Sequence, residues 1–300
     1  MAPRPRTVLL IGGHGRTAQC ITTILLSHGH TVYSLIRNTS QIPEIKKLAE
    51  PFPKAELIPL VQDLNGISTH EVQEVLSHGG GAIEWVIWAA GAKANIPRHP
   101  QDQLSVERDA AELFINQARG EGIGPGGNVK RFIFISACIC RNEPAPWWSP
   151  ETTAYYKKLK NEIMPTYVEA KTEVDTMLVG ECRAHVRSLA QKGGLNIDDD
   201  SEEGCFSALS IRPGVLSDAP AAGKCSLGKT RNAMEPLSRQ DLASIVVDLC
   251  ETRGRKERGG GIGCRWLDVA KGGEGVKQAV ERCIEQDVDT SEMGGMAGDL

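Results

Sequence analysis

Residues 8–18 read VLLIGGHGRTA: an apolar run, a glycine-rich turn and the start of a helix. The apolar run predicts a buried strand, and the glycines allow positive φ and a close approach of a ligand to the backbone. A helix over 18–27 and a second strand over 31–36 complete a unit that holds a diphosphate at a helix N-terminus. An ordinary β–α turn is the alternative. The pattern predicts a dinucleotide site at Gly12, Gly13, His14, Gly15, Arg16 and Thr17.

The end of the second strand indicates which dinucleotide binds. NAD sites usually place Asp or Glu there to hold the ribose 2′-hydroxyl, whereas this chain has Arg37 and Asn38, with no acid before Glu44. Guanidinium groups bind phosphate well, and a carboxylate would repel it. We therefore predict NADP(H) as the cofactor, with Arg37 and Arg16 as a clamp on its 2′-phosphate. The alternative is that Arg37 is only a solvated strand end.

The composition is that of a globular protein. The 300 residues are 40% hydrophobic and 24% charged, with a net charge of −4, which is typical of one large domain or two small ones. This charge gives no reason to expect nucleic acid as a partner. No apolar stretch is long enough to span a bilayer. We predict a cytoplasmic protein, monomeric or homodimeric, that acts on a small molecule.

The nine cysteines are odd in number and scattered along the chain. This distribution favours reduced thiols over a disulfide framework. Cys138 and Cys140 are separated by one residue, which is the wrong spacing for a zinc site. No metal site is predicted.

Strand and helix patterns alternate along most of the chain. Strands are predicted at 8–11, 31–36, 56–61, 85–89, 131–136, 208–211 and 265–269. Helices are predicted at 18–27, 43–50, 69–76, 103–119, 166–190, 239–251 and 274–285. Apolar strands separated by helices indicate an α/β fold with a doubly wound parallel sheet.

Ligands of such sheets bind beyond the carboxyl ends of the strands, so the residues that follow each strand are candidates for the site. Asp63 is placed to accept from an adenine amino group with Leu64 against the ring, or to cap a helix. Ala89, Ala90 and Gly91 are small, as expected where the backbone passes a ribose, or where a sheet packs tightly.

Tyr167 and Lys171 are four residues apart and share one face of a predicted helix. A free tyrosine has a pKa near 10, and a nearby lysine should stabilise the phenolate and lower that pKa. Ser136, at the end of the fifth strand, would donate to the substrate oxygen while Tyr167 transfers the proton. Tyr156 and Lys160 have the same spacing, but they lie in a lysine-rich stretch with little apolar periodicity. The Tyr167 pair is therefore preferred, and a surface role for both tyrosines stays open.

The stretch over 139–165 holds Pro144, Pro146 and Pro150 with the pair Trp147-Trp148, followed by Tyr155. Tryptophans on a proline-rich loop are costly unless they cover something apolar. We interpret the stretch as a lid over the substrate, contacting it through Trp147, Trp148 and Tyr155. The alternative is a loop packed on the protein's own core.

The glycine turn, YVEAK at 167–171 and SIRPGVL at 210–216 resemble the atypical short-chain dehydrogenase/reductase family, in its NmrA-like, NAD(P)-binding branch. SRQDLA at 238–243 is similar to the family's late helix start. The resemblance implies a single Rossmann-type domain over 1–287 with a smaller C-terminal substrate-binding part. That part would comprise about 139–165, 190–235 and 252–287. The Gly- and Met-rich composition of 288–300 separately predicts a flexible tail. The resemblance also implies that Pro213, Gly214 and Val215 lie near the nicotinamide, where Lys171 would hold the ribose.

Three functions are compatible with these residues. The first is an NADP-dependent reductase of a bulky apolar carbonyl or imine, of the kind found in specialised metabolism, with Tyr167 as general acid. The second is a redox-neutral isomerase- or cyclase-like enzyme on the same scaffold. The third is a non-catalytic regulator that senses NADP. A sensor has no use for an acid–base pair, so Tyr167 and Lys171 favour the first two.

Overall fold

Strand β1 (Thr7–Ile11) lies inside the central sheet, and its residues from Val8 to Ile11 are fully buried. The structure, a computed structural model, describes residues 4–91, 100–118, 129–191, 206–252 and 262–292. Residues 192–205 and 253–261 of the predicted substrate-binding part, and 293–300 of the predicted tail, lie outside the described residues.

The strands after β1 are β2 (Thr31–Ile36), β3 (Leu57–Val61), β4 (Trp85–Trp88), β5 (Arg131–Ile135), β6 (Ser207–Pro213), β7 (Leu216–Ser217), β8 (Lys224–Gly228), β9 (Leu237–Ser238) and β10 (Cys264–Gly275). The helices are α1 (Arg16–Ser27), α2 (Ile42–Lys47), α3 (Thr69–Ser77), α4 (Pro100–Leu104), α5 (Ala111–Ala118), α6 (Pro150–Lys158), α7 (Pro165–Gln191), α8 (Arg239–Glu251) and α9 (Val276–Glu285). Short 3-10 turns occupy Thr39–Gln41 and His78–Gly81, and π-helical turns occupy Ser105–Ala110 and Leu159–Ile163.

The eight-stranded sheet has the order β3-β2-β1-β4-β5-β6-β10-β8. All its neighbouring strands are parallel except the edge pair β10 and β8. The strand order reverses direction at β1, so the turn after β1 lies at the point where ligands of such sheets bind. A second, two-stranded sheet pairs β7 with β9.

Helices cover both faces of the large sheet. Val8 and Leu10 of β1 pack with α1, α8 and α9 on one face. Leu9 and Ile11 point the other way and pack with α3, α5 and α7. Strands buried on both faces are apolar throughout, which is why the sequence pattern of β1 is continuous. The predicted doubly wound Rossmann-type fold is confirmed.

Several elements depart from the prediction. Strands β7 and β9 and helix α6 were not predicted. Strand β8 was not predicted, because five residues at an antiparallel edge carry little of the apolar signal of a central strand. The helix predicted over 103–119 is interrupted by the π-helical turn at Ser105–Ala110, a local insertion that periodicity does not resolve. Helix α8 has the predicted bounds.

The first residues of the predicted tail contact the rest of the fold. Thr290 and Ser291 are buried, and the carboxylate of Asp289 accepts hydrogen bonds from the Trp266 backbone and from Arg183. The tail was predicted from the Gly- and Met-rich composition of residues 288–300 as a whole, which does not reveal this short segment with tertiary contacts. Among the described residues, no helix is both long and apolar enough to cross a membrane.

Candidate functional site

The glycine turn leaves no space for side chains. Gly12 has φ +82°, and a Cβ there would lie 2.6 Å from the Cα of Ala90. A Cβ on Gly13 would overlap the Ser34 hydroxyl. The backbone N–H groups of Gly12 and Gly13 both donate to the Leu35 carbonyl, at 3.1 and 2.8 Å. The turn is therefore fixed between β2 and β4, at the carboxyl ends of both strands.

The N-terminus of α1 is open to a ligand. Its N-cap is Gly15, no side chain caps it, and no acidic residue lies in its first turn. Unsatisfied N–H groups and the positive end of the helix dipole favour a diphosphate. The site thus fits the diphosphate of a dinucleotide, held by the turn from Gly12 to Thr17.

The two arginines of the predicted clamp have different surroundings. Arg37 is exposed, and no carboxylate pairs with it in the part of the chain that the structure describes. Arg16 instead forms an ion pair with Asp218, which also binds Arg239 at 2.6 Å. The structure therefore gives Arg16 a protein partner, and the clamp prediction depends on Arg37.

An acidic side chain does reach the glycine turn. The His14 ring lies 2.7 Å from Glu44 on α2, and Gln19 donates to the same carboxylate at 3.1 Å. Hydrogen bonds from His14 and Gln19 lower the pKa of Glu44. The sequence separates these residues by some thirty positions, so the pair was not predicted.

The residues predicted to line the rest of the dinucleotide site follow β3 and β4. Asp63 is exposed and accepts from the Asn65 N–H at 3.1 Å, which is a local turn contact. Leu64 is buried in the core. Ala89 donates its N–H to the Ile11 carbonyl at 2.9 Å, and a Cβ on Gly91 would lie 3.3 Å from Oε1 of Glu107. The small residues thus lie beside the glycine turn on one side and a buried carboxylate on the other.

Lys171 and Tyr167 lie at the same edge of the sheet. The Lys171 ammonium is buried, donates to the Ile135 carbonyl at 3.2 Å and lies 5.8 Å from the centre of the Tyr167 ring. Its ion-pair partner is Glu107, at 3.0 Å. Burial raises the pKa of Tyr167 well above its ordinary value of 10, and Cys140, Glu107 and Asp175 act in the same direction. The pKa of Tyr167 is therefore shifted in the direction opposite to the predicted one, because burial is the largest effect on it.

Ser136 is engaged with a residue that the sequence did not single out. Its hydroxyl donates to Oδ2 of Asp175 at 2.7 Å. The same carboxylate accepts from Ser210 at 2.6 Å and pairs with Arg212. Asp175 lies four residues beyond Lys171 and eight beyond Tyr167, on one helix face, and this spacing was a signal available in the sequence.

Arg212 is the centre of a buried charge network. Besides Asp175, it pairs with Asp268 at 3.0 Å, and Asp268 pairs with Arg141 at 3.1 Å. The Arg212 guanidinium lies 4.0 Å from the Trp266 ring centre. Burial raises the pKa of both aspartates, against the opposing effect of the arginines. The network joins α7, β6 and β10 directly behind Ser136.

The turn at Pro213, Gly214 and Val215 is packed against neighbouring backbone. The Pro213 carbonyl accepts from Cys138 at 3.0 Å, and the Gly214 N–H donates to Val269 at 2.9 Å. A Cβ on Gly214 would overlap the Ala233 carbonyl. The turn follows β6, next to the end of β5, and so belongs to the same edge of the sheet.

The competing pair has a structural role. The buried Tyr156 hydroxyl contacts the carbonyls of Arg141 and Asn142 at 3.0 and 2.7 Å. Lys160 donates to that hydroxyl at 2.9 Å and also contacts both carbonyls. Through these contacts, the Tyr156 hydroxyl binds and stabilises the loop after β5.

The predicted lid is largely a packed segment. It contains α6, and Trp148 is buried against Tyr156, with 5.5 Å between ring centres. The Arg141 guanidinium lies 5.3 Å from the rings of both Trp147 and Trp148. The Trp148 ring packs on the protein's own core, and its contact with a substrate stays a prediction. Trp147 and Tyr155 remain half-buried at the edge of a third apolar cluster, which is separate from those on the two faces of the sheet. Its buried members are Cys138, Ile139, Cys140, Ala145, Trp148, Tyr156, Leu159, Val168 and Ala233.

A disulfide joins Cys182 on α7 to Cys264 at the start of β10. This corrects the prediction of reduced thiols for these two residues, whose proximity arises only in the fold. Six cysteines of the described chain are free. Burial raises the pKa of Cys140 to about 12 and also raises that of Cys138, so neither is a reactive thiol.

His28, His30 and Glu251 form the one group of possible metal ligands within the described ranges. Nδ1 of His30 accepts the Arg6 backbone N–H at 3.0 Å, so its Nε2 carries the proton and donates to Glu251 at 2.9 Å. A metal would need the Nε2 lone pair. The arrangement is therefore that of a hydrogen-bonded cluster.

Comparison with known proteins agrees with this geometry. The family model described as NAD(P)H-binding matches residues 12–180, more than half of the chain. A UPF0659 protein of Schizosaccharomyces pombe is 26% identical over 243 residues, covering 80% of this chain and 82% of that protein.

Solved structures share the fold. A protein described as an NAD-dependent epimerase/dehydratase from Bacillus halodurans has a TM-score of 0.62 and 19% identity, covering 92% of this chain and 99% of its own. The oxidoreductase YlbE from Lactococcus lactis has a TM-score of 0.62 and 18% identity, with coverages of 93% and 97%. An anaerobilin reductase from Escherichia coli, ChuY, has a TM-score of 0.55 and 14% identity, with coverages of 88% and 97%. The chain belongs to the NAD(P)H-binding family and shares its fold with these solved structures.

Proposed function

We propose that this protein is an NADPH-dependent reductase of a bulky, apolar carbonyl or imine compound, with Tyr167 as the general acid. The observation that carries the proposal is the buried Lys171, bound to the last residue of β5 and one helical turn from Tyr167. Two strands away, at the same edge of the sheet, lies the glycine turn of a family that binds NAD(P)H. This juxtaposition supports a reaction centre next to the nicotinamide.

The residues have separate roles in this proposal. The turn from Gly12 to Thr17 binds the diphosphate, and Lys171 holds the nicotinamide ribose. The bound coenzyme supplies the hydride for the substrate carbon. Tyr167 gives its proton to the substrate oxygen or nitrogen. Ser136 donates its own proton to Asp175 and therefore borders the site without donating to that atom. A raised pKa keeps Tyr167 protonated at neutral pH, which suits a proton donor.

Preference for NADPH over NADH is supported by the exposed guanidinium of Arg37 after β2. The N–H groups of Arg37 and Asn38 both donate to the side-chain oxygen of Gln41 at 3.1 Å. This contact fixes the backbone and leaves the Arg37 side chain directed to solvent. An exposed guanidinium at this position suits a 2′-phosphate.

An apolar substrate is supported by the surroundings of Tyr167. Its ring borders the third apolar cluster, whose partly buried members include Trp147, Tyr155 and Met164. Half-buried apolar side chains next to an acid–base group form a surface that a bulky apolar ligand would cover.

The test uses NADPH with a panel of aromatic ketones, quinones and cyclic imines, beginning with phenanthrenequinone. Loss of the reduced-nicotinamide absorbance, matched by formation of alcohol or amine, is expected for the wild type and not for Y167F. Y156F is the matched control, because the same hydroxyl is removed from the competing pair, and it should retain turnover.

Other outcomes separate the alternatives. Product formation without loss of the reduced coenzyme would replace the reductase by a redox-neutral enzyme. Two results together would favour a sensor. The first is tight NADPH binding without turnover of any compound in the panel, and the second is equal activity of wild type and Y167F when each is added to a cell extract. Absence of NADPH binding in calorimetry would overturn the proposal as a whole.

A further inference from the structure

Lys171 forms its ion pair with Glu107, a residue that was not predicted to belong to the site. Nζ of Lys171 lies 3.0 Å from Oε2 of Glu107, with the two side chains 2% and 0% exposed. Removing two charges from water is expensive, and the attraction repays this cost only with good geometry and further hydrogen bonds. A buried pair at this place therefore calls for a role beyond stability.

The backbone around Glu107 is built to bring it inward. Glu107 lies in the π-helical turn Ser105–Ala110, between α4 and α5. Such turns insert one residue into a helix and are frequent at functional sites. Glu107 thereby reaches the position where a Cβ on Gly91 would touch it, at 3.3 Å. It therefore borders the residues after β4 that are predicted to face the ribose.

Three contacts hold the ammonium of Lys171 in one place. They are the Glu107 carboxylate, the Ile135 carbonyl at 3.2 Å and the face of the Phe134 ring, 4.4 Å from its centre. The Tyr167 ring lies beyond, 5.8 Å from Nζ. The Lys171 ammonium thus lies between the Glu107 carboxylate and the Tyr167 phenol, which would become an anion during reduction.

The charges that face Tyr167 come from several elements. Glu107 approaches from the π-helical turn, Lys171 and Asp175 from α7 itself, and the thiols of Cys138 and Cys140 from the loop after β5. Both thiols are buried and neutral. The balance at the phenol is therefore set by one lysine and two carboxylates, and Asp175 already pairs with Arg212.

We propose that Glu107 is a positioning residue of the reaction centre. It fixes Lys171 beside the nicotinamide ribose and cancels its charge, so that Tyr167 meets the substrate as a neutral phenol. This rests on the proposed reductase function. In the reduction, the substrate carbon gains a hydride, its oxygen or nitrogen gains the Tyr167 proton, and the phenolate regains a proton from water. Lys171 stays in place during this step, bound to Glu107 and to the Ile135 carbonyl.

The test follows the ionisation of Tyr167 directly. The chain has four tyrosines. The ultraviolet absorbance of the phenolate is therefore recorded against pH for the wild type and for Y167F, and the difference between the two curves gives the ionisation step of Tyr167. In the wild type, this step should lie above pH 10. In E107Q, it should move down by about one unit or more, because an unopposed lysine favours the phenolate. E107D, which keeps the charge, should restore the high value.

Glu112→Gln is the matched control. It removes a carboxylate from the next turn of the same helical segment, half-buried but without contact to Lys171 in the described chain, and should leave the Tyr167 step unmoved. If Tyr167 of the wild type ionises at neutral pH, the proposal is overturned even if E107Q fails to fold. An unshifted step in a folded E107Q would overturn it as well.

NADPH titration, followed by quenching of tryptophan fluorescence, separates this proposal from the previous one. E107Q should weaken NADPH binding several-fold, since Lys171 loses one of its three anchors, while E112Q should not. If the wild type binds no NADPH, the proposed function fails. If it binds NADPH and E107Q changes neither affinity nor the Tyr167 step, only the role of Glu107 fails.

Discussion

The Ser136 hydroxyl donates to the Asp175 carboxylate, with 2.7 Å between the two oxygens. The proton of Ser136 is thereby directed towards Asp175, and this buried hydroxyl does not donate to a substrate oxygen as the sequence predicted. Asp175 is itself held by Ser210 and Arg212. The orientation of Ser136 is consequently set by a buried charge network, and changes in that network should act on both stability and the site.

Replacement of Arg212 by methionine should be strongly destabilising. It leaves Asp175 and Asp268 as two buried carboxylates that have lost their shared partner. Breaking a buried pair on one side costs about 3–5 kcal/mol. Urea unfolding of R212M measures the loss, and R239M is the control. Arg239 pairs with the exposed Asp218, so its removal should cost about 1 kcal/mol or less. Equal losses in the two variants would contradict the importance of the network.

The sequence predicted those parts of the fold that depend on local pattern. Strand β1, the glycine turn and α8 follow from apolar periodicity and from backbone requirements that only glycine meets. The partners of Ser136 and Lys171 did not follow. Asp175 and Glu107 become part of the site only through helix packing and a π-helical turn, and a charged residue in a helix is usually solvent-exposed.

Substitution of Gly214 by alanine should disturb the turn after β6. The added Cβ would overlap the Ala233 carbonyl, and the Gly214 N–H is bound to Val269 at 2.9 Å, so neither side can yield easily. Overpacking of this kind costs about 1–3 kcal/mol. Thermal unfolding of G214A should show the loss. G273A has no atom within 4 Å of its new Cβ and should unfold like the wild type. A stable G214A would show that this turn is less constrained than its contacts indicate.

Reversal of charge at Arg37 should change the coenzyme preference. R37D removes charge-assisted hydrogen bonds to the 2′-phosphate, worth about 1.5–3 kcal/mol, which is roughly 10- to 100-fold in the dissociation constant of NADPH. NADH affinity should be retained or improved, because the new carboxylate can accept from the ribose hydroxyls. Calorimetric titration with both coenzymes measures the ratio. R16A should have the smaller effect, since Arg16 is paired with Asp218. An unchanged ratio in R37D would remove the basis for the NADPH preference.

Removal of the Tyr156 hydroxyl should affect stability without affecting NADPH binding. This hydroxyl contacts the Arg141 and Asn142 carbonyls. Lys160 also reaches both carbonyls, so the loss in Y156F should be about 1 kcal/mol, at the lower end of the range for such groups. The double variant Y156F/K160M leaves the carbonyls without either donor and should lose more than the two single variants together. Loss of NADPH binding in Y156F would instead favour this pair as the one at the coenzyme.

A surface ion pair gives a stability difference with a defined pH dependence. Glu274 accepts from Nε and from the terminal nitrogen of Arg282, at 2.9 and 2.8 Å, and this hydrogen bonding lowers the pKa of Glu274 below its ordinary value of 4.5. The unfolded chain therefore takes up the proton first as the pH falls. The contribution of the pair to the free energy of unfolding is complete above pH 4.5 and is lost as the pH falls through the lower pKa of the folded state. Wild type and E274Q should differ by about 1 kcal/mol or less at neutral pH, since the pair is partly exposed. The difference should shrink in acid and in high salt. If the difference in unfolding free energy between wild type and E274Q grows below pH 4.5, then Arg282 does not stabilise the charged form of Glu274.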